Sequence, residues 1–370
     1  MTGVAGVHTS KLRGHSDIEH GHYHRSVSSE YLILQLPSAN RVYAEDAPRL
    51  MRAELAAFSE AVGGIADIDD VELGGLRYVR FTTPELTEQR LALLSNASSL
   101  YGLFERVQPD LLRPVRIRPL DKFDSDLLTI QKYSGKTNEQ FTRLLLNVTC
   151  LAMAEPLAML RRPLHVLDPL CGRGTTLNQA MMYGFDATGV ELLERDFEAY
   201  ERFIKTWLRT KRFKHTAESG QLRRQKHKLG RRLDITYAPT KEEFKAGRSR
   251  TLSFRATDTL HVDEIFGRHA FDVIVTDAPY GVQHGSRQSG ELQRSPRDLL
   301  AAAVPVWTRV LKPGGALGIS WNDLVLPRAE LLDILSRAGL KPREGAPYEQ
   351  FAHRVDHAIV RDLVVATKPA

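Results

Sequence analysis

Apolar and polar positions follow two different rhythms along the chain. From Tyr31 to Val107, short alternating runs are separated by two stretches with helical spacing. YLILQL (Tyr31 to Leu36) reads as a strand, and Glu45 to Val62 as a helix with Leu50, Leu55 and Phe58 on one side and Gly63-Gly64 at its end. IADIDDVEL and LRYVRFTT, joined at Gly74-Gly75, read as an antiparallel hairpin. Thr83 is placed to cap a second helix with Pro84 at its first position and Leu86, Leu91 and Leu94 on its apolar face; LYGLFERV closes the unit as a strand. The order β-α-β-β-α-β predicts a small ferredoxin-like α+β domain over residues 30–108.

Residues 109–132 open with a Pro- and Arg-rich run and are expected to be a linker. NEQFTRLLLNVTCLAMA then reads as a helix entering a second architecture. From Pro163 onwards LHVLD, DATGVEL, TLSFRA, FDVIVTD and GALGISW are short apolar runs, with a helical or mixed segment after each of the first four. Such alternation predicts a parallel, doubly wound sheet. FAHRV and HAIVRDLVVATK lie too close together for a helical crossover and must pair antiparallel. The expected fold class is therefore α/β: a Rossmann-like, mostly parallel sheet with a reversed C-terminal edge strand over residues 133–370. A strongly basic insertion at 209–250, containing KRFKH, LRRQKHK and GRR, interrupts the alternation, and residues 1–29 read as a flexible His-rich tail.

Composition narrows the class. A chain of 370 residues can bury one large core and a smaller companion, and 42% hydrophobic with 26% charged residues fits a soluble globular protein. No apolar run reaches the roughly 18 residues of a membrane span, and the start MTGVAGVHTSKLRG lacks the apolar core of a secretory signal. Two cysteines, Cys150 and Cys171, cannot build a disulfide framework, which favours a reducing cytoplasm. The net charge of +6 suits a polyanionic partner without identifying one.

The candidate chemistry sits at strand ends. DPLCGRGTTL (Asp168 to Leu177) follows the first parallel strand, where a doubly wound sheet binds its ligand. Leu177 stands where a dinucleotide fingerprint needs its third glycine, and no Gly-Lys-Ser/Thr of a P-loop follows. Gly172 and Gly174 allow close approach to a ligand, with Pro169, Cys171 and Thr175 in the same loop. Asp168 would repel a pyrophosphate but attract the ammonium of a methionine moiety, which points to S-adenosylmethionine. Glu191, ending the second strand, can accept ribose hydroxyls, and Asp258, ending the third, the adenine amino group. TDAPYG ends the fourth strand: Asp277 and the Ala278 carbonyl can each accept one N–H of an amine, Pro279 stiffens the turn, and Tyr280 can stack on a base. No cysteine lies in this motif, which argues against covalent attack on a pyrimidine. LKPGG before the fifth strand reads as a structural turn.

DPLCGRGT, GVEL and TDAPYG, in this order, together with YSGKTNEQFTRLLLN (Tyr133 to Asn147), resemble the tRNA guanosine-N2 methyltransferases, a THUMP-associated family of Rossmann-like amino-methyltransferases that use S-adenosylmethionine. The resemblance covers Tyr31 to the C-terminus. It implies tRNA as the substrate, a guanosine at the base of the D-arm as the target, and Lys136 and Thr137 as further pocket residues. Eukaryotic relatives use a small activating subunit. Alanine replaces the first proline of the family's DPPY-type motif, and the stretch from Val107 to Tyr133 is too short to complete a THUMP domain. The basic insertion, with Arg223, Arg224, Lys226, Lys228, Arg231 and Arg232, is the candidate phosphate-contacting segment in its place, or else a charged loop. His284 and Arg287 are open to either substrate contact or a solvated loop. His20, His22 and His24 alternate as metal ligands do, but no second ligand cluster accompanies them, and no metal is expected. The competing readings are a DNA adenine-N6 methyltransferase, which would have to flip its base out of the duplex, and a catalytically silent RNA-binding protein.

Overall fold

The computed structural model describes residues 28–38, 41–224, 227–280 and 295–370. Nearly all of the expected tail, with His20, His22 and His24, and Lys226, His284 and Arg287 lie outside the described residues.

The first alternating segment forms β1 (Ser29–Gln35), β2 (Ala66–Leu73), β3 (Leu76–Thr83), β4 (Leu100–Gln108) and β5 (Leu111–Val115). They make an antiparallel sheet in the order β2-β3-β1-β4-β5. The Gly74-Gly75 turn joins β2 to β3 as its spacing predicts, with Leu73 opposite Leu76. Helix α1 (Arg41–Val62) buries Leu50, Leu55 and Phe58. Helix α2 (Glu88–Leu94) begins later than expected: Thr87, not Thr83, is its cap and accepts the Arg90 amide at 3.2 Å. Thr83 is held instead as the last residue of β3, opposite Ser29, so pairing in the sheet overrides the local capping signal. Nor are residues 109–132 a plain linker. β5 covers the edge that β4 would otherwise leave open, and Pro114 is tolerated there because an edge strand can spare an N–H.

The second segment contributes α3 (Asp126–Thr129), α4 (Glu139–Leu151), α5 (Ala158–Arg161), β6 (His165–Asp168), α6 (Thr175–Met182), β7 (Asp186–Glu191), α7 (Glu194–Thr210), β8 (Lys214–Arg224), β9 (His227–Ala238), α8 (Lys241–Lys245), β10 (Arg250–Ala256), α9 (Val262–Phe266), β11 (Phe271–Asp277), α10 (Pro296–Val310), β12 (Leu311–Asn322), α11 (Arg328–Arg337), β13 (Lys341–Pro342), β14 (His353–Arg354) and β15 (Val360–Thr367). Its sheet runs β13-β15-β12-β11-β6-β7-β10-β9-β8, with β14 also on β15. β10, β7, β6, β11 and β12 are mutually parallel and β15 is reversed, a Rossmann-like arrangement of the expected kind. The reversed strand is not quite the edge, since β13 lies outside it. LKPGG is not a separate turn but a bulge inside β12: pairing with β11 passes from Phe271–Leu311 to Val273–Ala316. The basic insertion is a long hairpin, β8–β9, that extends the sheet beyond β10. Among the described residues no helix is long and apolar enough to cross a membrane.

One apolar cluster runs through both sheets, from Tyr31 and Phe58 to Phe141, Leu144 and Phe254. Within it, Glu54 of α1 is fully buried and accepts the Ser98 amide (2.9 Å), the Ser98 hydroxyl (2.6 Å) and the Asn147 side-chain amide (2.8 Å). Asn147 of α4 also donates to the Asn96 carbonyl at 2.8 Å and accepts from the Tyr183 hydroxyl at 2.9 Å. Burial raises the Glu54 carboxyl, and these donors pull it back. Replacing Asn147 by leucine strips donors from buried acceptors and is expected to cost about 1–3 kcal/mol in urea denaturation. Because both sheets share this core, wild-type and variant should each unfold in a single transition; separate transitions for the two sheets would refute the coupling.

Candidate active site

The strand order reverses between β6 and β11, so the crevice at their carboxyl ends is where an open sheet of this kind holds its ligand. Asp168 ends β6, is 3% exposed, and accepts the Leu170 amide at 3.1 Å. Among the described residues no basic side chain pairs with it. Burial pushes its carboxyl up to about 7, with the Thr176 hydroxyl pulling the other way. The loop that follows is held by Glu191 at the end of β7, whose two oxygens accept the Gly172 amide (3.0 Å) and the Leu193 amide (2.9 Å). Burial raises Glu191 as well. Gly172 and Gly174 adopt φ of +50° and +79°, which a residue with a Cβ resists. Their surroundings differ. A Cβ on Gly174 would stand 2.3 Å from the Tyr200 ring, so that glycine serves packing, whereas nothing lies within 4 Å of one on Gly172, where a ligand can approach.

Asp277 ends β11 and is the most heavily solvated by protein of the strand-end acids. It accepts the Thr137 hydroxyl at 2.6 Å, the Ser320 hydroxyl at 2.8 Å, and the Tyr280 hydroxyl, which sits 2.6 and 2.7 Å from its two oxygens. Arg361 of β15, 6% exposed, donates its Nε to the Tyr280 hydroxyl at 2.6 Å and stands 3.6 Å from Asp277. Its guanidinium lies over both the Phe141 ring (4.6 Å) and the Tyr280 ring (5.1 Å). The turn is fixed from β12: the Ser320 carbonyl accepts the Ala278 amide at 2.8 Å, and the Asn322 side chain donates to the Tyr280 carbonyl at 3.3 Å. Burial and the adjacent Asp277 raise the Tyr280 phenol well above its ordinary value.

The expected residues are therefore only partly assembled. Thr137 reaches Asp277, but the Lys136 ammonium is taken by the Leu128 carbonyl at 2.6 Å and by Glu139. Thr175 shares a 3.0 Å hydrogen bond with Tyr133, over whose ring the Arg173 guanidinium lies. Pro169 is buried beside Asp168. Cys171 is buried with its sulfur packed over Gly189, and burial raises its thiol, so it fills space. Asp258 spends one oxygen on the Leu260 amide, 2.9 Å away. Arg361, Ser320 and Phe141 were not singled out from sequence. An arginine inside the apolar run of β15 was the available signal.

The basic hairpin is largely neutralised by its neighbours. Arg224 pairs with Glu264 (2.6 Å), Arg231 with Glu194, Glu198 and Glu201, and Arg232 with Asp234 (2.8 Å) and Glu218 (3.8 Å). Arg223 bonds Gln221, and Lys228 has no ion pair among the described residues.

No protein-family model and no curated protein matches the chain. Solved structures that resemble it include a Burkholderia thailandensis 1,6-didemethyltoxoflavin-N1-methyltransferase with bound S-adenosylhomocysteine (17% identity, TM-score 0.33, 58% of this chain and 75% of that one). A TehB-like SAM-dependent methyltransferase from Corynebacterium glutamicum is 16% identical, with TM-score 0.32 over 57% of this chain and 83% of its own. A SAM-dependent methyltransferase from Methanosarcina mazei is 14% identical, with TM-score 0.34 over 56% and 93%. Likeness at this level says nothing of this chain's substrate.

Arg361→Met removes a donor from Tyr280 and the cation beside Asp277. The expected loss is on the order of 3 kcal/mol in urea denaturation. Arg361→Lys should restore only part of it, since an ammonium lacks the flat face that lies on Phe141 and Tyr280; an unchanged midpoint in both would show that the cluster contributes nothing.

Proposed function

We propose that the chain is an S-adenosylmethionine-dependent methyltransferase acting on an exocyclic amino group of an RNA base, with guanosine N2 in tRNA as its target. The observation that carries this reading is the pairing of strand-end carboxylates in different surroundings. Asp168 is buried without a basic partner among the described residues, as a site for an ammonium requires, and Asp277 beside it already accepts from the Thr137, Ser320 and Tyr280 hydroxyls. The open side of Gly172 gives a ligand room against the same loop.

When bound, S-adenosylmethionine supplies a methyl group activated by its sulfonium. In this reading Asp168 takes the ammonium, Glu191 the ribose hydroxyls and Asp258 the adenine amino group. An amino group on a base is a poor nucleophile because its lone pair is delocalised into the ring. Asp277 and the Ala278 carbonyl would each accept one of its N–H groups and so turn the lone pair out of conjugation. A carboxylate offers about four acceptor positions, and Thr137, Ser320 and Tyr280 supply three donors, so one position remains for the substrate. With these donors in place, Asp277 acts as an acceptor that orients the amine, and the proton is lost to solvent after transfer. Pro279 stiffens the turn, and Tyr280, tied at its hydroxyl, would offer its remaining ring face to the base. For the RNA substrate the support is the first sheet, whose strand order and β-α-β-β-α-β succession are those of a ferredoxin-like unit, together with the basic charge. We read residues 30–108 as that unit, 133–370 as the methyltransferase domain, and the protein as cytoplasmic.

Two measurements follow. Radiolabelled methyl transfer to unmodified tRNA should give N2-methylguanosine, and Asp277→Ala should abolish it. Label in N6-methyladenine on DNA would instead select the competing enzyme, and cofactor binding with no transfer to any nucleic acid would leave a silent binding protein. The second concerns pH. Burial holds Asp168 near 7 in the free protein, and an ammonium needs it charged. Affinity for S-adenosylhomocysteine should therefore fall as pH drops below about 7, approaching about tenfold per unit, with proton release on binding. Calorimetry between neutral and mildly acidic pH checks this; affinity independent of pH in the wild-type protein would remove Asp168 from the ammonium site.

A further inference from the structure

β9 continues past the point where the parallel sheet stops. Its ladder with β10 ends at the pair Arg231–Ala256, yet the strand starts at His227, so Lys228, Leu229 and Gly230 overhang the carboxyl end of β10. A hollow of about 380 Å³ lies there, walled by Leu192 after β7, by Thr257 and Asp258 after β10, and by those three residues of β9. That volume falls within the usual range of small-molecule sites, about 300–1,000 Å³.

The overhang is built in rather than incidental. Gly230 has φ of +150°, and a Cβ on it would stand 1.7 Å from the Ala256 carbonyl oxygen, so the hairpin backbone presses on the strand end as only glycine allows. Arg231, next along, lies 4.8 Å over the Phe197 ring and pairs with Glu194, Glu198 and Glu201, all on α7. One side of the wall is therefore pinned to β10 and the other to the helix that follows Leu192. Leu192 is 63% exposed, an unusual position for leucine beside the buried end of a parallel strand, and Leu229 is half-buried across the same hollow.

We infer that the inserted hairpin is part of the nucleoside-binding site. Leu229 joins Leu192 in giving the hollow apolar surface for a purine ring, Asp258 faces the ring's amino edge, and Lys228 forms the rim. This rests on the reading of Asp168, Glu191 and Asp258 as the methyl-donor site. It moves Lys228 and Arg231 out of the phosphate-contacting set: Arg231 is the clamp that holds the wall against α7, and Lys228 borders the ligand.

The test uses the full chain and S-adenosylhomocysteine. Ligand binding to the wild-type protein should slow amide deuterium exchange in 227–231. Leu229→Asp should weaken binding by about tenfold or more, since it sets an unpaired charge against the ring, while Thr216→Ala, exposed and opposite Thr236 towards the far end of the hairpin, should leave it within about twofold. Should the aspartate variant fail to fold, Leu229→Ala and the exchange measurement, which needs no variant, still decide. Unchanged exchange in 227–231 with wild-type binding intact would overturn the role of the hairpin and leave the site itself standing. Absence of any S-adenosylhomocysteine binding to the wild-type protein would overturn both.

Discussion

Asp168 and Asp277 end adjacent parallel strands, and the surroundings of both are governed by the cost of holding two carboxylates side by side away from water. The protein meets that cost differently at each. Around Asp277 it assembles three hydroxyl donors and a buried guanidinium, so the charge is compensated before any ligand arrives. Around Asp168 it provides the Thr176 and Thr276 hydroxyls and one backbone amide but no cation, and burial prevails, with the neighbouring Asp277 adding to the upward push. One acid already has its donors in place, and the other is left for a cationic ligand to compensate.

The reversed strand gains its meaning from this asymmetry. In the sheet register Asp277 lies beside Ser320 of β12, and two residues further Asn322 lies beside Arg361 of β15. Reading across three strands, each supplies one member of the cluster, and the Asn322 side chain ties the turn after β11 to the Ala358 carbonyl just before β15. Helix α4 supplies the Phe141 ring under the guanidinium and, through Asn147, reaches the buried Glu54 of the first sheet. The geometry at Asp277 and the packing between the two sheets thus share one helix, so slack introduced at that contact would be felt at the acid.

What could be read from the residues alone divides along physical lines. The strand-end acids were legible because each closes an apolar run, and position in a parallel sheet follows from such runs. Arg361 was not, because its partners lie far away in sequence and only folding brings Phe141 and Tyr280 to its two faces. The hairpin was missed as structure for a different reason. KHTAESGQLRR in β8 is exposed over most of its length and carries no two-residue apolar period, and the signal in β9 is confined to Leu233, Ile235 and Tyr237. Leu111–Val115 was missed because Pro and Arg suit an edge strand as well as a linker.

Net charge proved the least local of the sequence signals. The hairpin looked like the seat of the positive charge, yet Arg224, Arg231 and Arg232 have carboxylates within salt-bridge distance, which cancels most of their field at a distance. Exposed pairs of this kind are worth only about 0–1 kcal/mol, so a phosphate could displace a carboxylate at small cost, but each exchange frees an acid as well. Exposed cations without a carboxylate partner among the described residues include Lys214 and Lys228 on the hairpin itself and Arg202, Arg209 and Arg212 on and just after α7. If a polyanion is steered to this protein, unpaired cations such as those at the end of α7 contribute to the long-range field, and the paired hairpin arginines act mainly at contact.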